Sequence, residues 1–320
     1  IRATLRSGRK FTRLRWSADY QNHQVNRETA SDVNFENANG ELRYRLSRAF
    51  SLLARAGYAS NDFETTQATN LDGSFWSVGL AWTPNRYLTL EATYGPRNKD
   101  IAVNWTPNVR NSLQVAYRNR SVGLNRGGTW FGRFSHRTRR TQWDIVYEET
   151  TTTTQDLLST EQFVRLSDPA TGEIILNPDN QLTLAEQEVF RLTDEVIVRK
   201  RLEATVGLRS AKSNVSLRGF HERSEFQLSG EDERRFGATA SWAWRFASRT
   251  ESLLSSSWQR TMFDVNDGTD TLWYLQVGLM RRIRPRLSGS INYTHTQRVS
   301  EREGAEYQEN RIALLISMSF

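Results

Sequence analysis

Cysteine does not occur anywhere in the 320 residues, which excludes disulfide scaffolds and Cys-ligated zinc and is compatible with passage through an oxidising compartment. Long apolar runs do not occur either. No stretch approaches the roughly 18 residues of a membrane-crossing helix, only 37% of the residues are hydrophobic, and the mean hydropathy is −0.65. A helical membrane protein is excluded. Histidine is scarce: His23, His136, His221 and His295 stand apart, without metal spacing such as H-E-x-x-H, and Asn125-Arg126-Gly127-Gly128 makes no phosphate loop. The chain therefore does not read as an enzyme, and no cofactor, metal or catalytic residue set is expected.

Large rings and arginine are plentiful. Aromatics make up 11% of the chain, ten of them Trp, too many for a disordered segment, and the net charge is +7. The order of these residues is informative. In the last stretch, Ile312, Leu314, Ile316, Met318 and Phe320 fall on one side, with Ala313, Ser317 and Ser319 on the other. That is the period of a β-strand with two different surroundings. The same alternation recurs upstream in Leu14-Trp16-Ala18-Tyr20, Leu52-Ala54-Ala56-Tyr58, Trp76-Val78-Leu80-Trp82, Leu113-Val115-Tyr117 and Leu275-Val277-Leu279. Counting every such segment gives about sixteen complete strands after a stub at residues 1–8, an antiparallel up-and-down meander.

The connections sort into two kinds. Trp82-Thr83-Pro84-Asn85 and Trp105-Thr106-Pro107-Asn108 are the same tetrad 23 residues apart, so the repeat unit is a hairpin and each tetrad predicts a tight turn. Short turns are also expected at 47–49, 137–139, 211–214, 247–249 and 282–285, and longer polar loops at 27–34, 60–72, 229–232, 264–269 and 299–306. One connection, about 150–191, is far longer. It carries a hairpin signal around Asp168-Pro169-Ala170-Thr171-Gly172 and a helix-capping signal at Thr183-Leu184-Ala185-Glu186. Its length suits a gate over an outer mouth, with Arg165 and Arg191 the candidate residues to meet carboxylates there.

Alternating strands also build soluble sandwiches and lipocalin-like barrels. Three features favour a membrane wall. Aromatics gather at strand ends, strand middles are Leu, Ala, Val and Gly, and sixteen strands exceed what one soluble barrel fills with side chains. A chain ending in Phe320 on such a strand resembles a bacterial outer-membrane β-barrel, with the short turns at the periplasm and the closing strand recognised by the barrel-assembly machinery. The apolar face then meets outer-membrane lipid. The polar face becomes the lumen, with Arg13, Arg15, Arg43, Arg45, Arg55, Arg118, Arg133, Arg201, Arg209, Arg218 and Arg245 as its basic lining. Two readings of those arginines stand together: a lattice of Arg–carboxylate pairs, and a basic lining that favours anions or sugars. Single arginines alternating with lipid-facing residues make a nucleic-acid groove unsuitable, so no nucleic acid is expected as a partner. An outer-membrane lipase would need Ser and His on adjacent strands of the lipid face; His136 and His295 have that orientation, but every strand offers a Ser.

The string Arg9-Lys10-Phe11-Thr12-Arg13-Leu14-Arg15-Trp16-Ser17-Ala18-Asp19-Tyr20, the two Trp-Thr-Pro-Asn tetrads, the long loop with Asp168-Pro169 and Gly172, and the stretch from Leu192 to Arg201 together resemble the outer-membrane β-barrel proteins of PEP-CTERM/exosortase and exopolysaccharide gene clusters. The resemblance spans nearly the whole chain. It implies a pore or scaffold for export or assembly of extracellular polysaccharide, fed by periplasmic export proteins, and it supplies no functional residues. It also implies an export signal and further strands before Ile1, for 18 or more in all. A general diffusion porin and a non-conducting structural barrel are the alternatives.

Overall fold

The computed structural model describes residues 1–8, 10–25, 33–63, 72–122, 127–153, 196–226, 229–264, 268–284, 286–301 and 305–318. Among these residues every regular element is a β-strand. The first ten are β1 (Arg2–Arg6), β2 (Leu14–Val25), β3 (Val33–Arg45), β4 (Phe50–Phe63), β5 (Gly73–Asn85), β6 (Leu88–Tyr94), β7 (Asn98–Asn108), β8 (Asn111–Arg120), β9 (Gly127–Arg137) and β10 (Thr141–Thr153). They are followed by β11 (Val196–Arg209), β12 (Ser213–Phe226), β13 (Asp232–Ala247), β14 (Thr250–Phe263), β15 (Thr269–Arg284), β16 (Leu287–Ser300) and β17 (Tyr307–Met318). The sixteen full strands and the stub expected from the alternation are all present. The stretch 154–195, including the hairpin and helix signals of the long connection, lies outside the described residues.

Contacts divide the chain into two compact units, Ile1–His136 with Val146–Thr151, and Arg137–Ile145 with Thr152–Phe320. In the first, β1 to β9 form one antiparallel ladder, each strand bonded to the next in sequence. The register sets Trp16, Leu42, Ala54, Val78 and Tyr94 in one row across five strands. A slip of one residue would turn each of these side chains to the opposite face, so the sequence pattern fixes the register. In the second unit β11 to β17 form another such ladder, with Ala204, Gly219, Ala238, Trp258 and Trp273 in one row.

The apolar phase is exposed over much of its extent. Val78 is 54% accessible and Ile312, Leu314 and Ile316 are 69–76% accessible, an uncovered surface that a water-soluble protein would have to bury. Rings border this face: Trp242 stacks on Trp244 at 5.6 Å and Trp244 meets Phe246 at 5.4 Å near the short turns, while Tyr117 meets Trp130 at 4.7 Å and Trp258 meets Trp273 at 6.1 Å farther along the strands. Aromatic girdles at two water interfaces have this arrangement. Lys200, on the same phase, bonds Glu225 at 2.8 Å, and Arg223 opposite it bonds Asp232, which raises the Arg223 guanidinium above its ordinary range. The face becomes charged where β11 and β12 continue past the apolar band.

The twin tetrads behave alike, but the turn lies two residues later than the sequence suggests. Trp82 pairs with Leu90 and Asn85 with Leu88, so Thr83 and Pro84 form a bulge and Arg86-Tyr87 the turn. Trp105 pairs with Leu113 and Asn108 with Asn111, with the same bulge and a Val109-Arg110 turn. A proline has no N–H to give to a ladder and is tolerated at such a bulge. Asn85 Oδ1 accepts from the Tyr87 and Leu88 amides at 2.8 and 3.1 Å; Asn108 Oδ1 accepts from Arg110 and Asn111 at 2.8 and 3.0 Å. Each asparagine side chain thus closes its own turn. Asn85→Ala and Asn108→Ala are each expected to lower stability by about 1 kcal/mol, the scale of a net hydrogen bond, and to add when combined, measured by urea unfolding in detergent. Exchange with Asp, which keeps the acceptor, should be nearly neutral.

Candidate functional site: the charged inner phase of the two ladders

The polar phase of the first unit is a connected charge network, and strand β5 explains its reach. Opposite Arg55, Leu53 and Ser51, β5 carries only the small residues Ser77, Gly79 and Ala81 on this face, of which Ser77 and Ala81 are buried, and the buried Phe75 ring lies farther from the short turn. Gly79 lies so close to the β6 backbone that a Cβ there would overlap the Ala92 carbonyl. With nothing tall on the Ser77–Ala81 part of β5, and β5 and β7 in contact across the seven-residue β6, side chains of β3 and β4 extend over β5 to β6 and β7. Arg43 bonds Glu91 at 2.6 Å. Arg55 bonds Glu41 at 3.0 Å, Glu91 at 3.1 Å and Asp100 at 3.5 Å. Asp100 is the hub, accepting also from Arg118 at 2.7 Å, Asn98 at 2.5 Å and Thr93 at 3.1 Å. Arg120 donates to Asn98 Oδ1 at 3.1 Å and lies 3.8 Å over the Phe75 ring.

The second unit has its own cluster, centred on Glu222, which is fully buried. Arg199 and Arg201 reach its Oε2 at 2.6 and 2.9 Å, and Arg235 bonds Oε1. Glu203 takes Arg201 at 3.1 Å and Arg218 at 2.9 Å, and Glu233 takes Arg235 at 3.4 Å. Arg201 also covers the Phe220 ring, 4.9 Å from its centroid. Farther toward the short turns, Arg245 bonds Glu251 at 2.5 Å.

The basic lining expected from the sequence therefore divides in two. Arg43, Arg55, Arg118, Arg201, Arg218 and Arg245 are held in carboxylate pairs, as the lattice reading requires. Arg13, Arg15, Arg45 and Arg209 are on the same phase, exposed, near the short turns, and form no ion pair among the described residues. Arg133 faces Gln114 on the polar phase. The gate candidates Arg165 and Arg191, and Phe320, lie outside the described residues. Sequence reasoning missed the hub Asp100 and the partners Arg235, Glu233, Asn98 and Arg120. Arg235 and Glu233 continue the polar alternation of Gly237 and Thr239 toward the start of β13 and were readable from it.

No nucleophile–base pair is assembled at the histidines of the apolar phase. His136 Nδ1 is 2.5 Å from Asn111 Oδ1 and His295 Nδ1 is 2.8 Å from Asn310 Oδ1, and neither ring meets a serine hydroxyl among the described residues. No group of three His, Cys, Asp or Glu residues suited to a metal occurs among the described residues.

The sequence matches no protein-family model and no curated protein. It is similar in structure to the outer membrane channel DcaP of Acinetobacter baumannii, at 8% identity over 92% of this chain and 99% of that chain, with a TM-score of 0.43. It is also similar to the anion-selective porin from Comamonas acidovorans, at 8% identity over the whole of both chains and a TM-score of 0.39. A third is OmpT, an outer membrane protein of Vibrio cholerae, at 5% identity over 95% and 97% and a TM-score of 0.40. What places the chain is its own pair of faces: no helix of the described residues is long and apolar enough to cross a membrane, whereas every ladder has one exposed apolar phase and one charge-paired phase. The chain is an all-β protein of the antiparallel up-and-down β-barrel class, whose strands carry the two faces of a transmembrane wall.

Proposed function

We propose that the polar phase lines an outer-membrane pore that favours anions, and that the pore or its scaffold serves export of extracellular polysaccharide. The observation that carries the pore reading is the division of the arginines. Carboxylates neutralise those in the middle of the strands, and four others, Arg13, Arg15, Arg45 and Arg209, have no ion pair among the described residues. A lining with surplus cations attracts anions and raises their local concentration. Polysaccharide as the cargo comes from the family resemblance, and export would need periplasmic proteins to deliver the polymer.

Single-channel recording in planar bilayers tests this reading. In a salt gradient the reversal potential should carry the sign of anion preference, and acidic oligosaccharide should interrupt the current more than neutral oligosaccharide of the same length. A general diffusion porin would treat the two sugars alike. Cation preference, or a folded and inserted protein without conductance, would overturn the proposal.

A further inference from the structure

The turns themselves have a charge pattern that the pore reading does not use. Eight connections join strands at the short-turn end: 7–13, 46–49, 86–87, 109–110, 138–140, 210–212, 248–249 and 285–286. Each contains at least one Lys or Arg, among them Lys10, Arg48, Arg86, Arg110, Arg140 and Lys212, and none contains Asp or Glu. Those six side chains are exposed and make no ion pair among the described residues. Among the described residues, the connections at the opposite end contain Asp72, Glu231, Asp264, Glu301 and Glu306, against Arg97.

The charge of each unit is therefore graded along its strands. Unpaired cations occupy the short-turn end, paired charges the middle and acids the far end. The gradient continues onto the polar phase. Arg15 and Arg45 in one unit and Arg209 in the other extend the basic turns inward, on the side opposite the apolar face, where membrane lipid does not reach them. Headgroup contact would account for the turn residues but not for these three.

We infer that the short-turn end is a capture surface for an anionic polymer, an acidic polysaccharide, which enters from that side. The inference rests on the pore reading and adds to it the surface that first holds the polymer: the basic end concentrates the polyanion, and the acidic end repels its re-entry.

The test is sided block of single channels. The protein is inserted in one orientation, verified by a label on a turn cysteine introduced as Ser248→Cys. An oligogalacturonate is added to one side at a time, with the voltage always drawing it toward the bilayer. Block is expected from the short-turn side, at least about tenfold stronger than from the other side and weakening with salt over the range where the Debye length falls from about 10 to 3 Å. The quadruple variant Arg48→Gln, Arg86→Gln, Arg110→Gln, Arg249→Gln should lose that preference; Asp264→Asn with Glu306→Gln should retain the short-turn-side block.

Equal block from both sides would overturn the inference and leave the pore reading in place. Absence of any conductance would overturn both. If the quadruple variant retained sided block but bound phosphatidylglycerol vesicles more weakly, the turn cations would belong to lipid headgroups and the inference would fall.

Discussion

Glu222→Gln is expected to lower the stability of the folded protein by about 3–5 kcal/mol, the cost of removing one partner from a buried charge cluster. The carboxylate is fully buried, and the three guanidinium groups of Arg199, Arg201 and Arg235 converge on its two oxygens. Glutamine has nearly the same shape but no charge, and its Nε2 would present a donor to groups that are themselves donors. Glu203 and Glu233 would still hold Arg201 and Arg235 from one side, at 3.1 and 3.4 Å, too far round to replace the lost centre. Urea unfolding of protein refolded into vesicles, followed by tryptophan fluorescence, reads the change. A second substitution, Arg235→Gln, should recover part of the loss, because one cation fewer then needs compensation. A loss below about 1 kcal/mol, the value of an exposed ion pair, would mean that water reaches the cluster and that the site is not buried as described.

Ala204→Arg should cost about 2–4 kcal/mol, the penalty of an arginine near the bilayer midplane. Ala204 is exposed on the apolar phase, opposite Gly219 and six residues from the short turn that begins at Ser210. Its neighbour Thr205 points to the polar phase opposite Arg218. Thr205→Arg places a like charge beside Arg218, softened by Glu203 at 2.9 Å from that guanidinium, so its cost should stay below about 1 kcal/mol. The comparison isolates lipid from strand geometry, since both changes lie in the same strand with the same side chain. Equal costs in vesicles would contradict the assignment of faces. Equal costs in detergent alone would not, because a micelle adapts to an added charge.

Much of the wall was legible in the sequence because period two is a strong signal over so many strands: Trp76, Val78, Leu80 and Trp82 leave no doubt about the phase of β5. A short turn also fixes its own register. Once the chain reverses at 210–212, Arg201 must stand opposite Glu222. The network over β5 was not legible in this way. Arg55 and Asp100 are 45 residues apart on strands that are not neighbours, and they meet because the sheet curls where the Ser77–Ala81 part of β5 offers this face only small side chains. Pairwise register does not predict curl. The tetrads show a smaller gap of the same kind: composition marked the hairpins correctly, but proline in a bulge and asparagine as the turn acceptor move the reversal beyond the tetrad.

Because the two Trp-Thr-Pro-Asn hairpins share one bulge, one asparagine-closed turn and one phase, residues 86–108 are a removable module. Excision would join Asn85 directly to Val109-Arg110 and set β5 against β8 through a turn of the same design, with every remaining side chain still on its original face. Insertion of a further copy would be equally silent to its neighbours. Circumference in such a wall is thus an adjustable quantity, changed in steps of two strands by duplication or loss of a self-closing segment. The charge networks, which bind strands that are not adjacent, are what would oppose such editing.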